Sequence, residues 1–148
     1  VKLGFSATRG GTTGPQISEL ATQLLSLERH VTEAHHGDCV GGDKEFHGMV
    51  SMWDIPIVGH PPKNPALRAY CVFDITRPVR DYVQRTRNIV TETHVLLAAP
   101  ASREGAAPRS GTWAAIRYAR KLERQVIIVY PDGNVTEERF ASVSWGDC

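Results

Sequence analysis

The segment HVLLAAPASREGAAPRSGTWAAIRYARKLERQVIIVYPDG, His94–Gly133, holds two short apolar runs separated by a helical pattern. "HVLLAAP" and "QVIIVYPDG" are continuous apolar stretches of strand length, which is how a strand buried on both faces reads. Between them, Ala115, Ile116, Ala119 and Leu122 recur at three-and-four spacing, the inner face of an amphipathic helix. Strand, helix and strand in that order imply parallel pairing through a right-handed crossover.

The same alternation extends towards the N-terminus. "KLGFSATR" predicts a buried strand at Lys2–Phe5, ending in a turn of small, hydroxyl and arginine residues. Ile17, Leu20, Ala21, Leu24 and Leu25 predict a helix, "VTEAHHG" a second strand, and "GDCVGGD" a turn into a helix from about Asp43 to Trp53. "IPIVGHPP" predicts a third strand, stopped by its prolines. Residues 63–78 are irregular, mostly loop with a strand expected at Tyr70–Phe73, and Asp81–Thr93 predicts a helix. The expected architecture is an α/β, Rossmann-like, doubly wound sheet, mostly parallel, of about five strands with helices on both faces. At 148 residues, with no linker, repeat or low-complexity tract, residues 1–148 are expected to form a single domain.

Composition narrows the function classes. The net charge of +1 gives no global basic field, so no strong nucleic-acid signal is present. No apolar run has membrane-spanning length, and the start at Val1 runs straight into an apolar stretch; the expectation is a cytoplasmic protein with no membrane partner. Three irregularly spaced cysteines, Cys39, Cys71 and Cys148, suggest reduced thiols. Arginines crowd the second half, and Trp53 and Trp145 join them as candidate residues for a homo-oligomer interface.

In a doubly wound sheet the ligand crevice lies beyond the carboxyl ends of the strands, where strand order reverses. Candidate ligand-binding residues are therefore those just after each strand. Ser6, Thr8, Arg9 and Gly10 follow the first strand; His36, Gly37 and Asp38 follow the second. Arg109, Ser110, Gly111 and Thr112 lead into the later helix, where free N–H groups and the helix dipole favour a phosphate. Asp38, after the glycine, suits ribose hydroxyls, with Cys39 packing behind it. Asp38, Asp43, Glu45 and Glu92 are the acidic candidates for general acid or base work, Asp38 and Asp43 foremost, and no catalytic residue is assigned. Ser6, Ser110 and Cys39 lack the surroundings of a nucleophile. Trp113 fits either stacking on a base or packing against the next strand. His35, His36, Asp38, Cys39, Asp43 and His47 are metal-ligand types without any usual zinc spacing, and adjacent histidines on a strand face opposite ways; no metal and no cofactor are assigned.

"SGTWAAIRYARK" with "VIIVYPDG", "HHGDCVGGD" and "RTRNIV" resembles the SLOG superfamily of Rossmann-like nucleotide-binding proteins, over nearly the whole chain. That superfamily includes LOG-type phosphoribohydrolases, the DNA-processing protein DprA, molybdenum-cofactor carriers and small bacterial and phage proteins, the last being most alike. The resemblance implies binding of a phosphorylated nucleoside, nucleotide or nucleotide-derived signal, to sense, sequester or carry it. The alternative it implies is a nucleotide-processing hydrolase of N-glycosidase type. LOG enzymes carry Pro-Gly-Gly-x-Gly-Thr-x-x-Glu; Gly111 and Thr112 match the Gly-Thr pair, whereas Ala114 and Ala115 stand where the acidic residues belong. The family's helix arginine corresponds to Arg85 or Arg87, which point to nearly opposite faces.

Overall fold

In the computed structural model, which describes residues 1–140, Val95–Ala99 and Gln125–Val129 lie side by side in parallel with Gly111–Lys121 crossing between them as a helix. Both strands are buried along their whole length, as their apolar runs require. In chain order the elements are β1 (Lys2–Ala7), α1 (Gly14–Leu27), β2 (Glu33–His36), α2 (Gly42–Val50), β3 (Ile57–Gly59), β4 (Ile75–Thr76), α3 (Tyr82–Thr91), β5 (Val95–Ala99), α4 (Gly111–Lys121), β6 (Gln125–Val129) and β7 (Val135–Glu138). The sheet order is β4-β3-β2-β1-β5-β6-β7, parallel except for β7. This is the Rossmann-like α/β arrangement, and no helix of the described residues is long and apolar enough to cross a membrane.

Alternation along the strands divides the core between the two faces. Leu3 and Phe5 face α1 and α2, where Leu20, Leu24, Phe46 and Val50 are buried and the Phe5 and Phe46 rings stack at 4.2 Å. Leu96, Ala98, Val126 and Ile128 face the other way, onto α4 and Val90 of α3. Trp113 belongs to this second layer: it is buried, packs near Tyr130 and donates its indole N–H to the Ser102 carbonyl, so its role is packing. Trp53 is half-buried against the α1–α2 layer, which removes much of it from any interface; Trp145 and Cys148 lie outside the described residues.

Among the described residues the sheet has seven strands where about five are expected. β7 is half exposed and polar, "VTEE", so it carries no apolar run; it pairs antiparallel with β6 through a turn in which Gly133 has φ +88°. β4 is two exposed residues, and the strand expected at Tyr70–Phe73 does not form. There Tyr70 takes a left-handed φ of 57°. Helix α2 stops at Val50, three residues short of the expected Trp53.

Two contacts set the frame of the crevice. Thr13 and Gln16 form a capping box at the start of α1, and the Gln16 amide donates to the carbonyls of Pro100 and Val129 at 2.8 Å each, tying that helix to the ends of β5 and β6. Chain connections leave β1 towards β2 on one side and arrive at β5 on the other, so the switch point lies between β1 and β5.

Candidate functional site

A crevice of about 360 Å³ opens at that switch point. The turn after β1 forms one wall. Thr8 N–H donates to the Ala99 carbonyl of β5, while the Thr8 carbonyl accepts from Gly11 and Gly42. Glu45 of α2 accepts from both the backbone and the hydroxyl of Thr12 at 2.9 Å, which pins the turn to the next helix. Gly41, with φ +89°, is demanded by this packing, because a β-carbon there would run into the Arg9 carbonyl. Glu45 is therefore a brace for the loop.

The β5 side of the crevice is the start of α4. Ser110 caps the helix by accepting from Trp113 N–H at 3.3 Å, and Gly111 and Thr112 follow it along the crevice. The first N–H groups of a helix have no intrahelical acceptor, and the dipole places partial positive charge there. Arg9 and Arg109, both exposed, flank the same opening. Ala115 presents a methyl group to the crevice one turn in, where a LOG-type enzyme would have a carboxylate; Ala114 faces a separate groove.

The β2 side carries the buried charges. Arg85 of α3 is 8% exposed; its Nη1 donates to the Gly37 carbonyl at 2.8 Å and to Cys39 Sγ at 3.3 Å, and its Nε has no partner. Asp43, in the first turn of α2, is 5% exposed; Oδ2 accepts from Cys39 N–H at 3.1 Å and Oδ1 has no partner. Desolvation pushes the Asp43 carboxyl up to about 6, against the pull of the Arg85 charge. Tyr82 stands between the guanidinium groups of Arg9 and Arg85, 5.8 and 5.6 Å from its ring centroid, and burial raises its phenol.

Ser6, Thr8, Arg9 and Gly10 thus meet Arg109, Ser110, Gly111 and Thr112 across one crevice, with Gly37, Asp43 and Arg85 on its β2 side. Three expected residues lie elsewhere. Asp38 takes a left-handed φ of 53°, which turns its fully buried carboxylate away to accept from Cys71 N–H at 2.9 Å and Arg68 Nε at 2.8 Å. It clasps the 68–71 loop and leaves the crevice wall to Cys39, the reverse of the expected arrangement. His36 points into the α2 layer, where it meets His47, Phe46 and Phe73. Arg87 lies 5.3 Å from the Tyr118 ring, in the separate groove between α3 and α4. Tyr82, Thr86 and Ser102 were not anticipated, and Tyr82 is the largest of them. Its signal was spacing: it stands three before Arg85, on the same helix face, just after the Asp81 cap.

Among the described residues two groups have metal-ligand character, His36, His47 and Cys71 on one face of the sheet and His35, His60 and Glu92 on the other. Burial lowers the imidazole of His35 and brings that of His60 to about 3. Cys39 and Cys71 are free thiols.

Fold and crevice together define a Rossmann-like α/β protein with a cleft at its switch point. The molybdenum cofactor binding protein from the phototrophic bacterium Rippkaea orientalis is similar to it, with a TM-score of 0.66 and 18% identity over 87% of this chain and 76% of that one. The molybdenum cofactor carrier protein from Chlamydomonas reinhardtii gives 0.60 and 17% over 86% and 74%, and TM1055 gives 0.56 and 20% over 84% and 71%. At these identities the likeness shows a shared fold. No protein-family model and no curated protein matches the sequence.

Proposed function

We propose that this protein binds, and so senses, sequesters or carries, a phosphorylated nucleoside-like molecule in the switch-point crevice. The observation that carries the reading is the pair of orphaned polar atoms, Asp43 Oδ1 and Arg85 Nε, on buried side chains of the crevice wall. A buried acceptor and donor left unpaired cost about 1–3 kcal/mol each, and a ligand towards which the two side chains turn, offering a hydroxyl or ring N–H to one and an oxygen to the other, removes that cost. Across the crevice, the α4 start with Arg9 and Arg109 suits a phosphate. Asp43 takes the ribose or ring-edge role that sequence order suggests for Asp38.

The ligand class includes nucleotides and phosphorylated pterins. The names of two fold neighbours, a molybdenum cofactor binding protein and a molybdenum cofactor carrier, favour adding the pterin cofactor to the candidates. Membership of the SLOG superfamily, a single domain and a cytoplasmic setting, in keeping with the free thiols, complete the reading. Thermal-shift screening with AMP, ADP-ribose, NAD, cyclic nucleotides and a phosphorylated pterin tests it. Stabilisation by at least one is expected; none at millimolar concentration overturns it.

A second reading, hydrolysis of an N-glycosidic bond, has one specific support, the elevated carboxyl of Asp43 inside the crevice. Ala115 opposes it at the place of the LOG-type acid. Incubation with nucleoside monophosphates separates the readings: free base supports hydrolysis, and intact nucleotide supports binding.

A further inference from the structure

We infer that the groove between α3 and α4 is a second ligand site, outside the crevice, for a small planar organic anion. Val83 and Arg87 of α3 face Ala114, Arg117, Tyr118 and Lys121 of α4 there, around a cavity of about 270 Å³. Tyr82 and Thr86 line both the groove and the crevice and form the ridge between them, with Arg85 on the crevice side and Arg87 on the groove side.

The groove face is written into the spacing of α4. Ala114, Arg117, Tyr118 and Lys121 recur at three-and-four intervals, one stripe of the helix, distinct from the stripe that buries Ala115, Ile116 and Ala119. On α3, Val83 and Arg87 are one turn apart. A solvated helix face commonly spends its cations on nearby carboxylates, and Arg120 does so, pairing with Glu104 and Glu138 at 3.0 and 2.8 Å. The side chains of Arg87, Arg117 and Lys121 have no carboxylate partner among the described residues. What lies between them is apolar: Val83, which is 56% exposed, the Ala114 methyl group and the Tyr118 ring. Lys121, in the last turn, also complements the helix dipole; Arg117, in the middle of α4, has no such reason to be there.

Unopposed cations around an apolar floor select an anion, and the floor selects one with an apolar body. Arg87 lies over the Tyr118 ring, 5.3 Å from its centroid, so its guanidinium extends the flat surface and keeps N–H groups free at its edge. Arg117 and Lys121 stand one turn apart, a like-charge spacing that costs helix stability until an anion is placed beside both. A carboxylate, sulfonate or phosphate meets those two side chains while a ring covers Val83, Ala114 and Tyr118. From Ala114 to Lys121 the stripe rises about 10.5 Å, at 1.5 Å per residue. A cavity of about 270 Å³ is close to the roughly 300 Å³ at which ligand pockets begin, so the body is one or two rings. A protein partner needs about 800 Å² of surface on each side, more than two helical turns provide.

The test titrates the full chain with anilinonaphthalene sulfonate, followed by fluorescence and by amide-resolved NMR. Saturable binding is expected, with shifts at Val83, Arg87, Ala114, Tyr118 and Lys121. Neutral phenylnaphthylamine and ringless methanesulfonate should each bind roughly tenfold more weakly or worse. Arg117→Glu, an exposed change, should weaken the sulfonate by roughly tenfold or more, while Lys63→Glu, exposed and elsewhere on the surface, makes the same change in net charge and leaves the affinity as it is. Absence of saturable binding, shifts confined to Thr8, Gly10 and Arg109 of the crevice, equal affinity for either counterpart, or full affinity in Arg117→Glu overturns the inference. So does a dimer in light scattering that Arg117→Glu dissociates, because a second copy of the chain would then close the groove. No nucleotide enters these readouts and Arg117 lies outside the crevice, so the crevice reading is decided separately.

Discussion

The Tyr82 phenol packs against the backbone of Gly111 so closely that a β-carbon at 111 would fall on its hydroxyl. This contact locks the first turn of α3 to the first turn of α4, bringing Arg85 and the α4 helix start to one crevice. Gly111→Val should expel Tyr82, lower the melting temperature and weaken ligand binding at least tenfold. Adding Tyr82→Ala should restore much of the stability and leave binding weak. Full stability of Gly111→Val alone would contradict this account of the contact.

Arg85 and Arg87 should separate cleanly. Arg85→Lys keeps a charge and loses the fork that reaches Gly37 and Cys39, so ligand affinity should fall by about 1.5–3 kcal/mol, roughly ten- to a hundredfold. Arg87→Ala should leave affinity unchanged, because its side chain lies over Tyr118. Calorimetric titration of the two variants checks both.

Asp43 should trade stability for function. Its folded-state carboxyl, at about 6, is above the ordinary 3.8, so the folded protein holds this proton more tightly than the unfolded chain. The contribution is therefore favourable at low pH and is lost as pH rises from about 4 through 6. Asp43→Asn removes the titration and keeps an acceptor for Cys39 N–H. Its stability advantage over the parent should grow across that window and level off on the order of 2–3 kcal/mol by pH 7. Ligand affinity should fall at the same time. Urea melts from pH 4 to 7.5 measure the first effect.

Asp38→Ala should do the opposite. It removes the acceptor for Cys71 N–H and Arg68 Nε, so the fold should lose about 1–3 kcal/mol while affinity stays within about threefold of the parent. A large loss of affinity with unchanged stability would return Asp38 to the crevice.

The contrast between Asp38 and Asp43 shows what a sequence leaves hidden. The parallel core was legible because β5 and β6 are uninterrupted apolar runs, and α4 between them has its buried residues at helical spacing. β7 was not, since an exposed antiparallel edge needs no apolar pattern and its pairing depends on the turn at Gly133. The residues after each strand were also legible as a set, because topology alone sends them to one end of the sheet. Which of them face the cleft depends on single backbone angles, and the left-handed turn at Asp38 exchanges its place with Cys39. Tyr82 escaped because it belongs to a helix start that approaches the crevice from the side.

The most direct test is calorimetric titration of the parent chain and Arg9→Ala with AMP, ADP-ribose, NAD and a phosphorylated pterin, each beside its dephosphorylated counterpart. The account predicts one-to-one binding of at least one phosphorylated compound, binding at least about tenfold weaker without the phosphate, and a further roughly ten- to hundredfold loss in Arg9→Ala with the fold intact. Equal affinity for the phosphorylated and dephosphorylated forms, or an unchanged affinity in Arg9→Ala, would contradict it.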